Sequence, residues 1–164
     1  MPELHFLGEV ETQGKVLVSA CLLGEAVRYD GRAKTVDHPV LARWMKEGRL
    51  VSFCPEMAGG LGVPRPRCEI VDGTGEDVWQ GRARVMDEHG GDCTEAFRAG
   101  AQAALELCQR EGVTLALLKE NSPSCGSHRV ADGTFSATRR PGSGVTVALL
   151  RGHGITVISE EELA

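Results

Sequence analysis

Aromatic side chains are scarce in this sequence: four Phe, two Trp and one Tyr among 164 residues. Core volume therefore has to come from Val, Leu, Ile, Ala and Met. Long apolar runs are missing too, and none approaches the roughly 18 residues of a membrane span. Positive charge is in the minority, with 18 Lys and Arg against 23 Asp and Glu. A broad cationic face for nucleic acid or an anionic membrane is therefore disfavoured. The opening Met-Pro-Glu-Leu-His lacks the basic-then-apolar order of a signal peptide. No repeat, low-complexity tract or linker divides the chain. These absences lead to the expectation of a cytoplasmic, single-domain protein large enough to build a core without disulfide staples.

Glycine and cysteine are plentiful instead, with 21 and six residues. In a reducing compartment six cysteines read as thiols, metal ligands or nucleophiles rather than as disulfides. Several apolar, β-branched runs set the frame: Lys15–Ser19, Leu50–Phe53, Thr114–Leu118 and Ile155–Ile158. Between them, Asp37 is a possible cap for a helix with Val40, Leu41, Trp44 and Met45 on one face and Gly48 as its stop. A second helix is expected from about Cys93 to Arg110, with Asp92 and Glu95 at capping-box spacing and an apolar stripe of Phe97, Ala101, Leu105 and Cys108. Gly144 to Arg151 reads as a short helix. The stretch between Cys54 and Asp92 reads as irregular, with a weak strand at Ala83–Met86. Residues 1–14 read as a leader and Glu160–Leu163 as a polar tail. Strands alternating with helices predict an α/β fold: a single domain, residues 15–164, with a mainly parallel sheet flanked by helices.

Three cysteines follow the expected strand ends: Cys21 after Val18, Cys54 after Phe53 and Cys125 after Leu118. Ligands bind outside the carboxyl ends of parallel strands. Three such thiols at one sheet edge would suit a soft metal or an iron–sulfur cluster, although three separate buried thiols fit the pattern as well. Pro55 follows Cys54, while Pro123 and Gly126 flank Cys125, residue types that fix backbone and aim amides at a bound group. Glu56 brings an acid and Ser122 a hydroxyl to the same neighbourhood. Glu56 could equally pair with Arg65 or Arg67, and Ser122 could merely shape a turn. Cys68 is a candidate fourth ligand. Cys93, at a helix start, and Cys108, on a core stripe, read as structural. The five histidines share no ligand spacing, and only His128 lies near a site cysteine. Gly59-Gly60-Leu61-Gly62 lacks the Lys-Ser/Thr of a P-loop, so nucleoside triphosphate chemistry is excluded.

Four separated motifs occur in order. They are Ser19-Ala20-Cys21-Leu22-Leu23-Gly24 with Arg28-Tyr29-Asp30-Gly31; Cys54-Pro55-Glu56 with Gly59-Gly60-Leu61 and Pro64-Arg65; Lys119 to Gly126; and Asp132-Gly133-Thr134-Phe135. Over about residues 15 to 160 the chain resembles the DUF523 family, which includes the TudS-type thiouracil desulfidases. The resemblance implies a Rossmann-like α/β domain with a [4Fe-4S] cluster held by Cys21, Cys54 and Cys125, its fourth iron open to a thiocarbonyl sulfur. It further implies proton transfer by Glu56 and a water-positioning hydroxyl at Ser122, with a small thiolated base as substrate. Ala131 stands where a tyrosine often precedes Asp-Gly, Ala137 where glycine is common, and Cys93 where valine is frequent. The first two bear on substrate identity. A non-catalytic cluster- or metal-binding carrier of sulfur or electrons is the alternative, and a structural zinc site a weaker third.

Overall fold

The computed structural model describes residues 14–24, 29–31, 35 and 37–163. Most of the expected leader, and Arg28, lie outside them. In chain order the elements are β1 (Val16–Ser19), α1 (Pro39–Lys46), β2 (Leu50–Phe53), α2 (Pro55–Ala58), β3 (Cys68–Val71), α3 (Gly75–Trp79) and β4 (Arg84–Asp87). There follow α4 (Thr94–Glu111), β5 (Leu115–Leu118), β6 (Arg129–Ala131), β7 (Arg139–Pro141), α5 (Val145–Gly152) and β8 (Thr156–Ser159). Short 3-10 turns follow β1 and β8.

Strands β2, β1, β5 and β8 lie side by side in that order, all parallel. The central pair, β1 and β5, is buried on both faces, which is why these runs are continuously apolar rather than alternating. Val16 and Val18 of β1, with Leu115 and Leu117 of β5, pack against Val40, Leu41 and Trp44 of α1. Leu17, Ala116 and Leu118 turn to the opposite face and meet Ala104 and Cys108 of α4 and Val147 and Leu150 of α5. Each large apolar side chain buried this way contributes about 1.5–3 kcal/mol. The chain steps from β1 outward to β2, then crosses back to β5 and on to β8. Its direction of travel thus reverses between β1 and β5, and a crevice at their carboxyl ends is the place where such sheets bind ligands.

The expected parallel α/β architecture is present, and five local readings change. Met45 is 56% exposed, because it lies past the edge of the stripe that Val40, Leu41 and Trp44 define. The cap of α1 is His38, whose Nδ1 accepts the Val40 amide at 3.1 Å; Pro39 then takes the first helical position, where no N–H is needed. At α4 the cap is Cys93, while Asp92 accepts the Thr94 amide at 2.9 Å and Glu95 pairs with Arg98 instead of closing a capping box. The middle of the chain is an antiparallel hairpin of β3 and β4, registered from Cys68 opposite Asp87 to Val71 opposite Arg84. Its Ile70 and Val85 join Val78, Phe97, Ala101 and Val145 in a third apolar cluster. Finally, Glu160–Leu163 is tied down: Leu163 is 2% exposed, and Glu160 and Glu162 accept the Glu120 and Ser159 amides.

Candidate active site

A cavity of about 520 Å³ opens at the carboxyl ends of the parallel strands, and Cys21, Cys54, Cys125, Glu56 and Ser122 all line it. Cys21 sits in the 3-10 turn after β1 and packs with the α1 side of the sheet. Cys125 belongs to the loop after β5 and packs with the α4 and α5 side. The two sulfur-bearing segments therefore approach the β1–β5 crevice from opposite faces. Ser19 Oγ ties the two strand ends together by accepting the Lys119 amide at 3.0 Å.

Cys54 is the residue that caps α2, a single turn begun by Pro55. The amides of Met57 and Glu56 point back at its sulfur. This turn is seated by close backbone approach. A Cβ on Gly59 would overlap the Ala96 carbonyl oxygen of α4, and one on Gly100 would overlap the Pro55 carbonyl oxygen. Glycine at both positions lets α2 lie directly on α4. Glu56 projects from the same turn and is gripped by Arg65, whose Nε is 3.1 Å from Oε2 and whose second guanidinium nitrogen bonds that same oxygen. The Glu56 side chain keeps 15% exposure, and no bond to Oε1 forms among the described residues.

The Cys125 loop is organised from below by Glu120, whose side chain is fully buried. Its Oε1 accepts the amides of Ser127, His128 and Arg129 at 2.9, 3.0 and 3.2 Å, and its Oε2 lies 2.9 Å from Ser127 Oγ and 3.0 Å from His128 Nδ1. Burial alone would raise the Glu120 pKa, but the His128, Arg129 and Ser127 donors outweigh it and hold the carboxyl down to about 2. Ser122 Oγ accepts the Ser124 and Cys125 amides, both at 3.1 Å. Its lone pairs thereby shape the turn, and its O–H proton remains available to donate. The far side of the loop rests on the start of α5, where the Val145 and Thr146 amides donate to Pro123 and Ser124 oxygens at 2.9 Å.

The thiols here are chemically primed for a cation. Burial raises the Cys125 pKa, and negative charge at Cys54, Glu56 and Cys21 adds to the shift. Burial raises Cys54 as well, with Glu56 adding and Arg65 opposing. Soft donors held neutral by burial become thiolates when a positively charged group joins them. Among the described residues no trio of His, Cys, Asp or Glu closes on a single metal ion. The three cysteines border one chamber of about 520 Å³, which has room for a polynuclear group.

The structure thus places all five expected site residues around one cavity. Cys68 lines it too, but its thiol donates to Pro66 O at 3.7 Å. Cys108 is a core residue, 1% exposed, its pKa pushed up to about 11 by burial. His128 bridges Glu120 and Glu162 at the surface. Ala131 and Ala137 both border the cavity, so the departures from the DUF523 pattern fall where substrate would be felt. Sequence reasoning missed Glu120 and Lys119, quoting them only within a motif. Lys119 lines the cavity with its ammonium 3.0 Å from Glu160 Oε2. The available signal was a Lys-Glu pair placed directly after a wholly buried strand, since charge at a buried edge needs dedicated partners. Asn121, beside them, adopts a left-handed backbone with φ of 70° and buries its side-chain oxygen without a partner among the described residues.

Comparison with known proteins places this cavity in context. A protein of Bacillus subtilis (strain 168), the uncharacterized protein YbbK, is 43% identical over 148 residues, spanning 90% of this chain and 97% of its own. The solved structure of a [4Fe-4S]-dependent thiouracil desulfidase, TudS, is 48% identical and covers 92% of this chain and 93% of its own, with a TM-score of 0.83. The family model described as 2-thiouracil desulfurase matches residues 16–162, from the first strand to the turn that closes the cavity. The chain belongs to the 2-thiouracil desulfurase family.

Proposed function

We propose that the cavity catalyses thiouracil desulfuration, converting the C=S of a small thiolated base such as 2-thiouracil to C=O with release of sulfide. The observation that carries this reading is the meeting of Cys21, Cys54 and Cys125 with Glu56 and Ser122 around one chamber. Cys21, Cys54 and Cys125 would hold a [4Fe-4S] cluster and leave one iron open to the substrate sulfur. When bound, that cluster supplies a soft Lewis-acidic iron matched to thiocarbonyl sulfur. Exchange of sulfur for oxygen leaves the carbon oxidation state unchanged, so water is the only co-reactant and no electron donor is needed.

The remaining steps fall to this chain's own groups. Arg65 holds Glu56 through Oε2, so Oε1 is the oxygen that takes a proton from the attacking water and returns one to the substrate ring. Ser122 directs its hydroxyl proton to that water while its oxygen is fixed by the Ser124 and Cys125 amides. The apolar wall of Phe53, Pro55 and Pro123 limits bulk water. The solved TudS structure supports the reading, being named a [4Fe-4S]-dependent thiouracil desulfidase. A sulfur or electron carrier requires neither Glu56 nor Ser122 in the chamber. The test is incubation of anaerobically reconstituted protein with 2-thiouracil and no reductant. Uracil and sulfide appearing in equal amounts is the expected result; a filled cluster with no product would favour the carrier.

A further inference from the structure

One wall of the cavity is held by a carboxylate that the proposed mechanism does not use. Glu69, the second residue of β3, is 2% exposed and borders the chamber. Its Oε1 accepts the amides of Gly133 and Phe135 at 3.0 and 3.1 Å. Both amides belong to the turn that joins β6 to β7, closed by the Asp132 amide on Thr138 O at 2.9 Å. Steric fit seats the same turn. Gly133 has a φ of 88°, and a Cβ there would stand 2.6 Å from the Ile70 carbonyl oxygen. Arg67 clamps the turn as well, its guanidinium carbon 5.8 Å from the centre of the Phe135 ring and one nitrogen 3.7 Å from Glu69 Oε2. Phe135 and Ala137 are left-handed, with φ of 57° and 62°. Residues other than glycine persist there only where their surroundings over-determine the backbone. Ala131 and Arg139, paired in register at the base of the turn, and Ala137 within it all border the cavity.

We infer that this turn is the wall that selects substrate by ring size, and that Glu69 is its positioning residue. The inference rests on the reading of the cavity as a desulfidase site. Ala131 and Ala137 present only methyl groups to the chamber, so what they contribute is shape. Selection by contact distance is only as sharp as the backbone that carries the contacts is fixed. β6 and β7 form a two-stranded sheet of their own, apart from the parallel sheet, and such a ribbon is marginal by itself. The place of the turn is therefore set from outside, by Glu69, the Gly133 seat and Arg67. Glu69 fixes it at two points with a single oxygen. Release of those amides lets the wall shift, and the ring then loses contacts in the ground state and the transition state alike. Cys21, Cys54, Cys125, Glu56 and Ser122 all lie outside β3, β6 and β7. The expected signature is a higher KM with kcat preserved.

The test compares the anaerobically reconstituted native chain with Glu69→Ala, Glu69→Gln and Gly133→Ala, using 2-thiouracil and the bulkier 6-propyl-2-thiouracil. The native chain should prefer the smaller ring. In Glu69→Ala that preference should shrink roughly tenfold, through a higher KM for 2-thiouracil with kcat within about threefold. Gly133→Ala, which lifts the same turn against the Ile70 carbonyl, should do the same. Glu69→Gln should behave as native, because its amide oxygen can accept both N–H groups. A fall in kcat with KM unchanged, an unaltered preference in Glu69→Ala, or a Glu69→Gln variant as impaired as Glu69→Ala overturns the proposal. Hydrogen exchange without substrate gives a readout apart from turnover. The Gly133 and Phe135 amides should lose protection in Glu69→Ala while those of Ser127, His128 and Arg129, held by Glu120, keep theirs. Unchanged protection at the turn overturns the positioning role. A native chain that keeps its cluster and converts neither base overturns the desulfidase reading, and the selection role with it.

Discussion

The Cys54 turn and the Cys125 loop occupy equivalent places, each just beyond the carboxyl end of a parallel strand, yet different forces hold them. The Cys54 turn is held by shape. Gly59 and Gly100 let its backbone lie on α4, and its charged contact among the described residues, Glu56 with Arg65, lines the cavity. The Cys125 loop is held by charge. Buried, ionised Glu120 gathers the amides of Ser127, His128 and Arg129 beneath it. A shape-held segment leaves its acid facing the cavity, where the proposed proton transfer needs it. A charge-held segment spends its acid on the backbone and presents only thiol and hydroxyl groups.

The contrast can be broken most severely at Glu120. Glu120→Ala leaves buried amides without an acceptor and should cost about 3–5 kcal/mol in denaturant unfolding. A smaller loss is expected from Gly100→Ala, about 1–3 kcal/mol, since its Cβ must displace the Pro55 carbonyl. This variant should also disturb Cys54 while leaving the Cys125 loop intact, as amide protection by hydrogen exchange would report. Glu56→Gln should change stability least, within about 1 kcal/mol, because the isosteric amide oxygen can still accept from Arg65. Turnover of the same variant should nevertheless fall by roughly 100-fold or more with the iron content unchanged. Equal losses of stability at Glu56 and Glu120 would erase the distinction.

Acid titration sharpens it. The Glu120 carboxyl is held at about 2 in the fold against an ordinary value of 4.5. A depressed folded-state pKa contributes stability that is fully present above the unfolded value and lost as pH falls toward the folded one. The native chain should therefore lose stability between about pH 4.5 and pH 2, and Glu120→Gln should flatten that slope. An identical pH profile in both proteins would show that Glu120 is not the ionised hub.

Much of this arrangement was legible in the sequence, because parallel strands buried on both faces announce themselves as apolar runs and their carboxyl ends mark the site. Val16–Ser19 and Leu115–Leu118 were readable for that reason, the half-buried edge strand Leu50–Phe53 was readable from its apolar run, and Cys21, Cys54 and Cys125 followed from them. Of the β3–β4 hairpin only β4 was, as the weak strand at Ala83–Met86. Its strands carry Cys, Glu, Arg and Asp and gain their burial from α3, α4 and α5, elements distant in sequence. Glu120 escaped notice because only the fold supplies its donors, which come seven to nine residues later.

The most direct test of the central claim is iron and acid-labile sulfide per chain after anaerobic reconstitution, measured for the native protein and for Cys21→Ala, Cys54→Ala and Cys125→Ala. The account predicts about four of each in the native chain and loss of the cluster in every variant. Cys68→Ala should leave the native content unchanged. A native chain without iron, or a Cys125→Ala variant that retains a full cluster, would contradict it.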